Sequence, residues 1–192
     1  SLHDALPIWY QSEAFIPAGW KNQRIVLRFD AATHRGTVWV NDVQVMDHQG
    51  GYTPFEADIS AYVEAGKSCR ITVCVNNVLS WDTIPPGQVL TQPDGRLKQQ
   101  YFHDFFNYAG LHRSVWLYAT PKAHIQDVTV VTEYDGRDGV VDYSVVTTGT
   151  GTVSVRLTDE AGKEVAAATG EKGRLQVGNA TPWQPGKAYL YT

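Results

Sequence analysis

The densest chemistry in the sequence lies in Tyr101-Phe102-His103-Asp104-Phe105-Phe106-Asn107-Tyr108-Ala109-Gly110, where five of ten side chains are aromatic and a carboxylate sits beside a histidine. A carboxylate accepts hydrogen bonds from two vicinal hydroxyls, and an aromatic ring packs on the apolar face of a pyranose, so the run could make a sugar contact. The same composition also describes a sandwich core, with the rings buried, Asp104 capping a turn and Asn107 completing it. Residue types alone leave both readings open.

Other chemistries find less support. His103 and His112 are near neighbours in sequence, but the pair lacks the ligand-like companions that complete a metal site. The chain holds no G-x-S-x-G elbow, no phosphate-cradling glycine loop, no H-E-x-x-H pair and no cysteine cluster. Catalytic residues are therefore not assigned, and no metal or cofactor is expected. Asn179-Ala180-Thr181 fits a glycosylation sequon, which matters only on a secretory route.

The elements that must position the aromatic run are strands. In Arg24 to Asp30, Ile25, Leu27 and Phe29 alternate with Arg28 and Asp30, the pattern of a half-buried antiparallel strand. Thr37 to Val40 and Val43 to Met46 flank Asn41-Asp42, a tight hairpin. Arg70 to Asn76 turns Ile71, Val73 and Val75 inward, and Ser114 to Tyr118 closes the region. The stretch from Leu79 to Gln100 reads as a long polar connection with turn signals at Pro85-Pro86-Gly87 and Pro93-Asp94-Gly95.

Pro121 marks a domain boundary. Beyond it shorter strands are predicted at 125–134, 140–147, 152–158, 164–168, 174–177 and 188–191, the spacing of an immunoglobulin-like sandwich. Such a sandwich uses about seven strands; with six, the domain at 121–192 reads as incomplete. At the other end, residues 1–8 show no period and read as an appended, non-native segment or a frayed terminus, so the first domain is taken as 9–120. No helical period of ten residues appears, which excludes doubly wound sheets and strand-helix barrels.

Composition agrees with a folded chain: hydrophobic residues make up 43%, charged residues 19%, and the net charge of -4 comes without blocks of like sign. Singly scattered Lys and Arg offer no basic face for nucleic acid, and no apolar run approaches the roughly 18 residues of a membrane helix. Cys69 and Cys74 fall on one predicted strand, five residues apart and on opposite faces, a span of roughly 16 Å. That exceeds the roughly 7 Å limit on the Cα separation of a disulfide. Unpaired thiols lean towards a reducing compartment.

From Trp9 to Thr192 the chain resembles the N-terminal part of glycoside hydrolase family 2. The resemblance rests on Val38-Trp39-Val40-Asn41, on Gln49-Gly50-Gly51-Tyr52-Thr53-Pro54-Phe55-Glu56-Ala57-Asp58-Ile59 and on Gly110-Leu111-His112-Arg113-Ser114-Val115-Trp116-Leu117. These are similar to the family's jelly-roll, galactose-binding-like sugar-binding domain. Trp183-Gln184-Pro185-Gly186 resembles a late turn of its immunoglobulin-like domain, and His103-Asp104-Phe105-Phe106-Asn107-Tyr108-Ala109-Gly110 resembles the β-glucuronidase branch in particular.

The resemblance implies an all-β piece, a jelly-roll sandwich followed by a truncated immunoglobulin-like sandwich, of a retaining hydrolase of β-D-glucuronides. Both catalytic glutamates would reside in a C-terminal TIM barrel of the same polypeptide. Asp104 would be the substrate ligand reaching into the barrel's pocket. His103 and Asn107 join it in the substrate-binding set, with shaping of the loop the favoured role for both. The resemblance further implies an oligomeric parent and, together with the unpaired cysteines, a cytoplasmic location. The alternative is a free-standing carbohydrate-binding or scaffold module without hydrolase activity.

Overall fold

Alternating apolar residues at 24–29 dictate the first sheet, because each second side chain can then leave water on the same face. A computed structural model describes residues 7–104 and 106–192, and these are all-β apart from one 3-10 turn at Ala18–Trp20. The chain divides into two units, one running to Pro121 and one starting at Lys122.

In the first unit the strands are β1 (Ile8–Phe15), β2 (Arg24–Phe29), β3 (Arg35–Val40), β4 (Val43–Gln49), β5 (Phe55–Asp58), β6 (Ser68–Asn76), β7 (Gly87–Thr91), β8 (Leu97–Tyr101) and β9 (Val115–Thr120). One sheet has the order β1-β6-β3-β4, a second β5-β2-β9, and β7 and β8 pair as a hairpin. All of these pairings are antiparallel. The two larger sheets face each other across one core, to which β2 contributes Ile25, Leu27 and Phe29, β3 Val38 and Val40, and β6 Cys69, Val73 and Val75. Phe29 is 1% exposed and stacks on Phe55 at 5.1 Å, which stacks in turn on the His48 ring at 4.4 Å.

The Asn41-Asp42 turn forms as expected: both residues have positive φ, 47° and 70°, the backbone of the tight turn whose twist matches its strands. The Asn41 carboxamide completes it, donating to the Tyr62 carbonyl at 2.9 Å and accepting from the Arg70 N–H at 2.9 Å. Cys69 is buried, Cys74 is half-buried, and both are free thiols.

Two expectations need correction here. The stretch 79–100 is no featureless connection, because β7 and most of β8 lie inside it. Their alternation is hidden: only Gly87 and Gln99 of the hairpin are buried, and the Gln99 side-chain oxygen is satisfied by the Leu79 N–H at 2.7 Å. At the chain start Ile8 is already in β1, opposite Val75, although it was grouped with the irregular residues. The rest of that segment, apart from Pro7, lies outside the described residues.

The second unit contains β10 (His124–Tyr134), β11 (Gly139–Thr148), β12 (Ser154–Thr158), β13 (Glu164–Thr169) and β14 (Lys172–Val177). A sheet ordered β10-β11-β14 and the pair β12-β13 enclose a small core of Tyr143, Val145 and Leu175, flanked by Val141, Val153, Val155 and Leu157. The strand expected at 188–191 does not form. Next to it, the Thr192 N–H and C=O exchange hydrogen bonds with Thr158 at 3.0 and 2.7 Å, too little to fix the preceding residues as a strand.

Candidate functional site

The aromatic run lies in the connection from β8 to β9. Its described rings are not core: Phe106 is 73% exposed, Tyr108 49% and Tyr101 40%, so the buried-aromatic reading fails for them. Phe102 is half-buried, its N–H donating to the Pro86 carbonyl at 3.0 Å and its ring lying 4.8 Å from that of Trp81. Trp81 is itself 77% exposed. Asp104 and His103 are exposed on the same loop. Phe105 lies outside the described residues.

An exposed loop rich in aromatic surface holds one conformation only if something anchors it from behind. The anchors come from Thr33 and His34, immediately before β3. The Thr33 N–H donates to the Gly110 carbonyl at 3.1 Å, and the Thr33 hydroxyl shares a 2.7 Å hydrogen bond with His112 Nδ1. His34 Nε2 and the Asn107 side-chain oxygen are 2.7 Å apart, both buried. The Asn107 amide nitrogen donates to the Asn77 carbonyl at 3.4 Å. Both ends of the Asn107 side chain are thus engaged inside the protein. Gly110 is required by its place: φ is +89°, and a Cβ there would run into the Tyr10 hydroxyl.

His34 is 3% exposed. It borders a cavity of about 110 Å³ also lined by Tyr52 and Asp82, with His112 nearby. Burial pushes its pKa down, only partly opposed by the bond to Asn107, while His112 lowers it further. The unfolded chain therefore takes up this proton more readily than the folded one. Stability from His34 is complete above about pH 6.5, its ordinary value, and is lost as the pH falls below that towards the lowered folded value. Urea unfolding at pH 7.5 and 5.5 is expected to show a larger acid loss for the wild type than for His34→Gln; equal losses would remove His34 from the pH dependence.

The carboxylates of Asp30, Glu56 and Asp58 are committed to structure. On the β5-β2-β9 sheet, Arg24 lies 3.5 Å from Asp58 and 3.9 Å from Glu56, and Arg28 lies 3.0 Å from Asp30 and 3.4 Å from Glu56. The Trp116 indole donates to Asp30 at 2.7 Å, and that bond together with the Arg28 guanidinium holds the Asp30 carboxyl below its ordinary range. Carboxylates paired in this way are poor proton donors. Among the described residues no group of three or more His, Cys, Asp or Glu side chains could hold a metal ion, and no helix is long and apolar enough to cross a membrane.

Comparison with known proteins decides the family. The profile of glycosyl hydrolases family 2, sugar binding domain, matches residues 3–121, and that of glycosyl hydrolases family 2 matches residues 123–192. The chain belongs to glycosyl hydrolase family 2. It is 48% identical over 191 residues to a β-glucuronidase of Paenibacillus borealis and 42% identical over 204 residues to that of Homo sapiens, alignments that cover 96% of this chain. Among solved structures, β-glucuronidase from Ruminococcus gnavus superimposes with a TM-score of 0.84 at 42% identity over 98% of this chain, and its complex with D-glucaro 1,5-lactone with a TM-score of 0.83. The chain spans about a third of the length of these relatives, 32% for the Paenibacillus and 31% for the human protein.

Within this family 2 chain the first-unit stretches that carried the resemblance map onto its strands and connections. Val38-Trp39-Val40-Asn41 is the end of β3 and its turn, residues 49–59 connect β4 to β5 and include it, and residues 110–117 lead from the loop into β9. Sequence reasoning put forward Asp104, His103 and Asn107. It missed Thr33, His34 and Asn77, which follow or precede strands and belong to no motif.

Proposed function

We propose that this chain is the N-terminal, sugar-binding part of a β-glucuronidase that cleaves β-D-glucuronides with retention of configuration. The observation that carries the proposal is 42–48% identity to β-glucuronidases over 96% of the chain. A retaining glycosidase needs two carboxyl groups about 5 Å apart across the glycosidic bond, one protonating the leaving oxygen and one attacking the anomeric carbon. In this reading a TIM barrel of the same polypeptide, outside this sequence, provides both as glutamates. Asp104 supplies orientation: an exposed carboxylate on an anchored loop, available to accept hydrogen bonds from neighbouring sugar hydroxyls. His103 stands beside it as a further contact or a support of the loop. The internal bonds of Asn107 favour a loop-shaping role for that residue.

The free thiols Cys69 and Cys74 support a reducing, cytoplasmic setting. The test is turnover of an aryl β-D-glucuronide by this purified 192-residue chain. No release of aglycone above buffer is expected, and activity is expected once the chain is extended by the barrel. Turnover by the chain alone would contradict the assignment of the catalytic pair to the barrel; an inactive extended polypeptide would favour the free-standing module.

A further inference from the structure

The Asn77 backbone carbonyl can only accept a hydrogen bond, so the Asn107 amide must present its NH2 group there and its oxygen to His34. An oxygen accepts only. The imidazole must then carry its proton on Nε2, leaving Nδ1 bare, and His34 Nδ1 is buried without a hydrogen-bond partner among the described residues. A Cβ on Gly51 would lie 3.1 Å from that nitrogen, so the backbone of residue 51 closes over it. A second proton at Nδ1 would be a buried, unpaired donor. The ring is also fixed in place by its own backbone: the His34 N–H donates to the Asn76 carbonyl at 2.8 Å, and its carbonyl accepts from the Gly50 N–H at 3.0 Å.

We propose that His34 is a positioning residue for the sugar contact: as the neutral Nε2–H tautomer it donates to the Asn107 side-chain oxygen and so fixes the loop that presents Asp104. The two residues of that pair are 73 positions apart, and the bond ties the start of β3 to the loop three residues beyond Asp104. Its neighbours Thr33–Gly110 and Thr33–His112 hold the far end of the loop, so His34 governs the half nearer Asp104. The inference rests on the assignment of Asp104 to substrate binding.

Two measurements test it. In this chain, imidazole nitrogen shifts at pH 7 are expected to show His34 protonated at Nε2 and bare at Nδ1. His34→Phe should shift the amide signals of residues 102–109 while His34→Gln, whose side-chain NH2 can donate to Asn107, leaves them near wild type. The opposite tautomer, or an unmoved loop in His34→Phe, would overturn the anchoring. In the polypeptide extended by the barrel, His34→Phe should raise KM for an aryl glucuronide about tenfold, His34→Gln should stay within about threefold of wild type, and His34→Phe should add little to the loss caused by Asp104→Ala. Additive losses, or a wild-type KM in His34→Phe, would overturn the positioning role. If the loop shifts as expected but Asp104→Ala costs no activity, the anchor stands and the substrate role of Asp104 is what fails.

Discussion

Asp104→Ala, placed in the polypeptide extended by the barrel, is expected to lower kcat/KM for an aryl β-D-glucuronide about 100-fold. A hydrogen bond to a charged acceptor contributes about 1.5–3 kcal/mol, and a carboxylate can accept from two adjacent hydroxyls. A 100-fold loss corresponds to about 2.7 kcal/mol of transition-state binding, inside the range for one strong or two partly additive bonds. Asp104 is exposed on its loop, so the variant should fold with wild-type stability. The combination matters: a kinetic loss with an unchanged unfolding midpoint assigns Asp104 to substrate, whereas a matched loss of stability would assign it to the loop. Asp104→Asn should retain part of the activity, since the amide oxygen still accepts while the charge is gone.

Phe29→Ala is the largest expected effect on stability, a loss of about 3–5 kcal/mol. Phe29 is 1% exposed in the core of the sandwich and stacks on Phe55, its cross-strand partner on β5. Removing the ring leaves a void that strands held by cross-strand hydrogen bonds on both sides, β5 and β9, cannot collapse to fill. Tryptophan fluorescence during urea unfolding is a suitable probe, because Trp9, Trp20, Trp39, Trp81 and Trp116 precede Pro121 and only Trp183 follows it. Phe106→Ala provides the contrast. That ring is 73% exposed, and its removal should stay within about 0.5 kcal/mol of wild type. Equal losses from the two substitutions would contradict the division of the aromatics into core and loop surface.

The contrast between Phe29 and Phe106 also shows what the sequence makes legible. Phe29 belongs to a period-two run, and period two with one buried face is the signal that alternation carries, so β2, β3 and β6 were readable as strands with their inward residues. Phe106 lies in a run where aromatics crowd without a period, and composition alone could not tell a core from a displayed surface. The β7-β8 hairpin was missed for a related reason: with Gly87 and Gln99 as its buried residues, neither strand has an apolar face to alternate. Residues 188–191 failed in the other direction, showing alternation without the ladder that would make a strand.

The site divides along the same line. Asp104, His103 and Asn107 could be put forward from sequence because they lie in one short run that resembles a family motif. His34 was invisible, since its role depends on a contact with Asn107 across 73 positions, on the cover given by Gly51 and on the one-way chemistry of the Asn77 carbonyl. Only the fold brings those groups together.

The central claim, that Asp104 binds sugar hydroxyls in a glucuronide-cleaving enzyme, is tested most directly by pairing the Asp104→Ala substitution with substrates lacking individual ring hydroxyls. The extended wild type should lose at least tenfold in kcat/KM on the deoxy substrate whose hydroxyl Asp104 binds, and Asp104→Ala should show almost no difference between that substrate and the parent glucuronide. Deoxy penalties of the same size in both proteins, at every hydroxyl, would contradict the assignment.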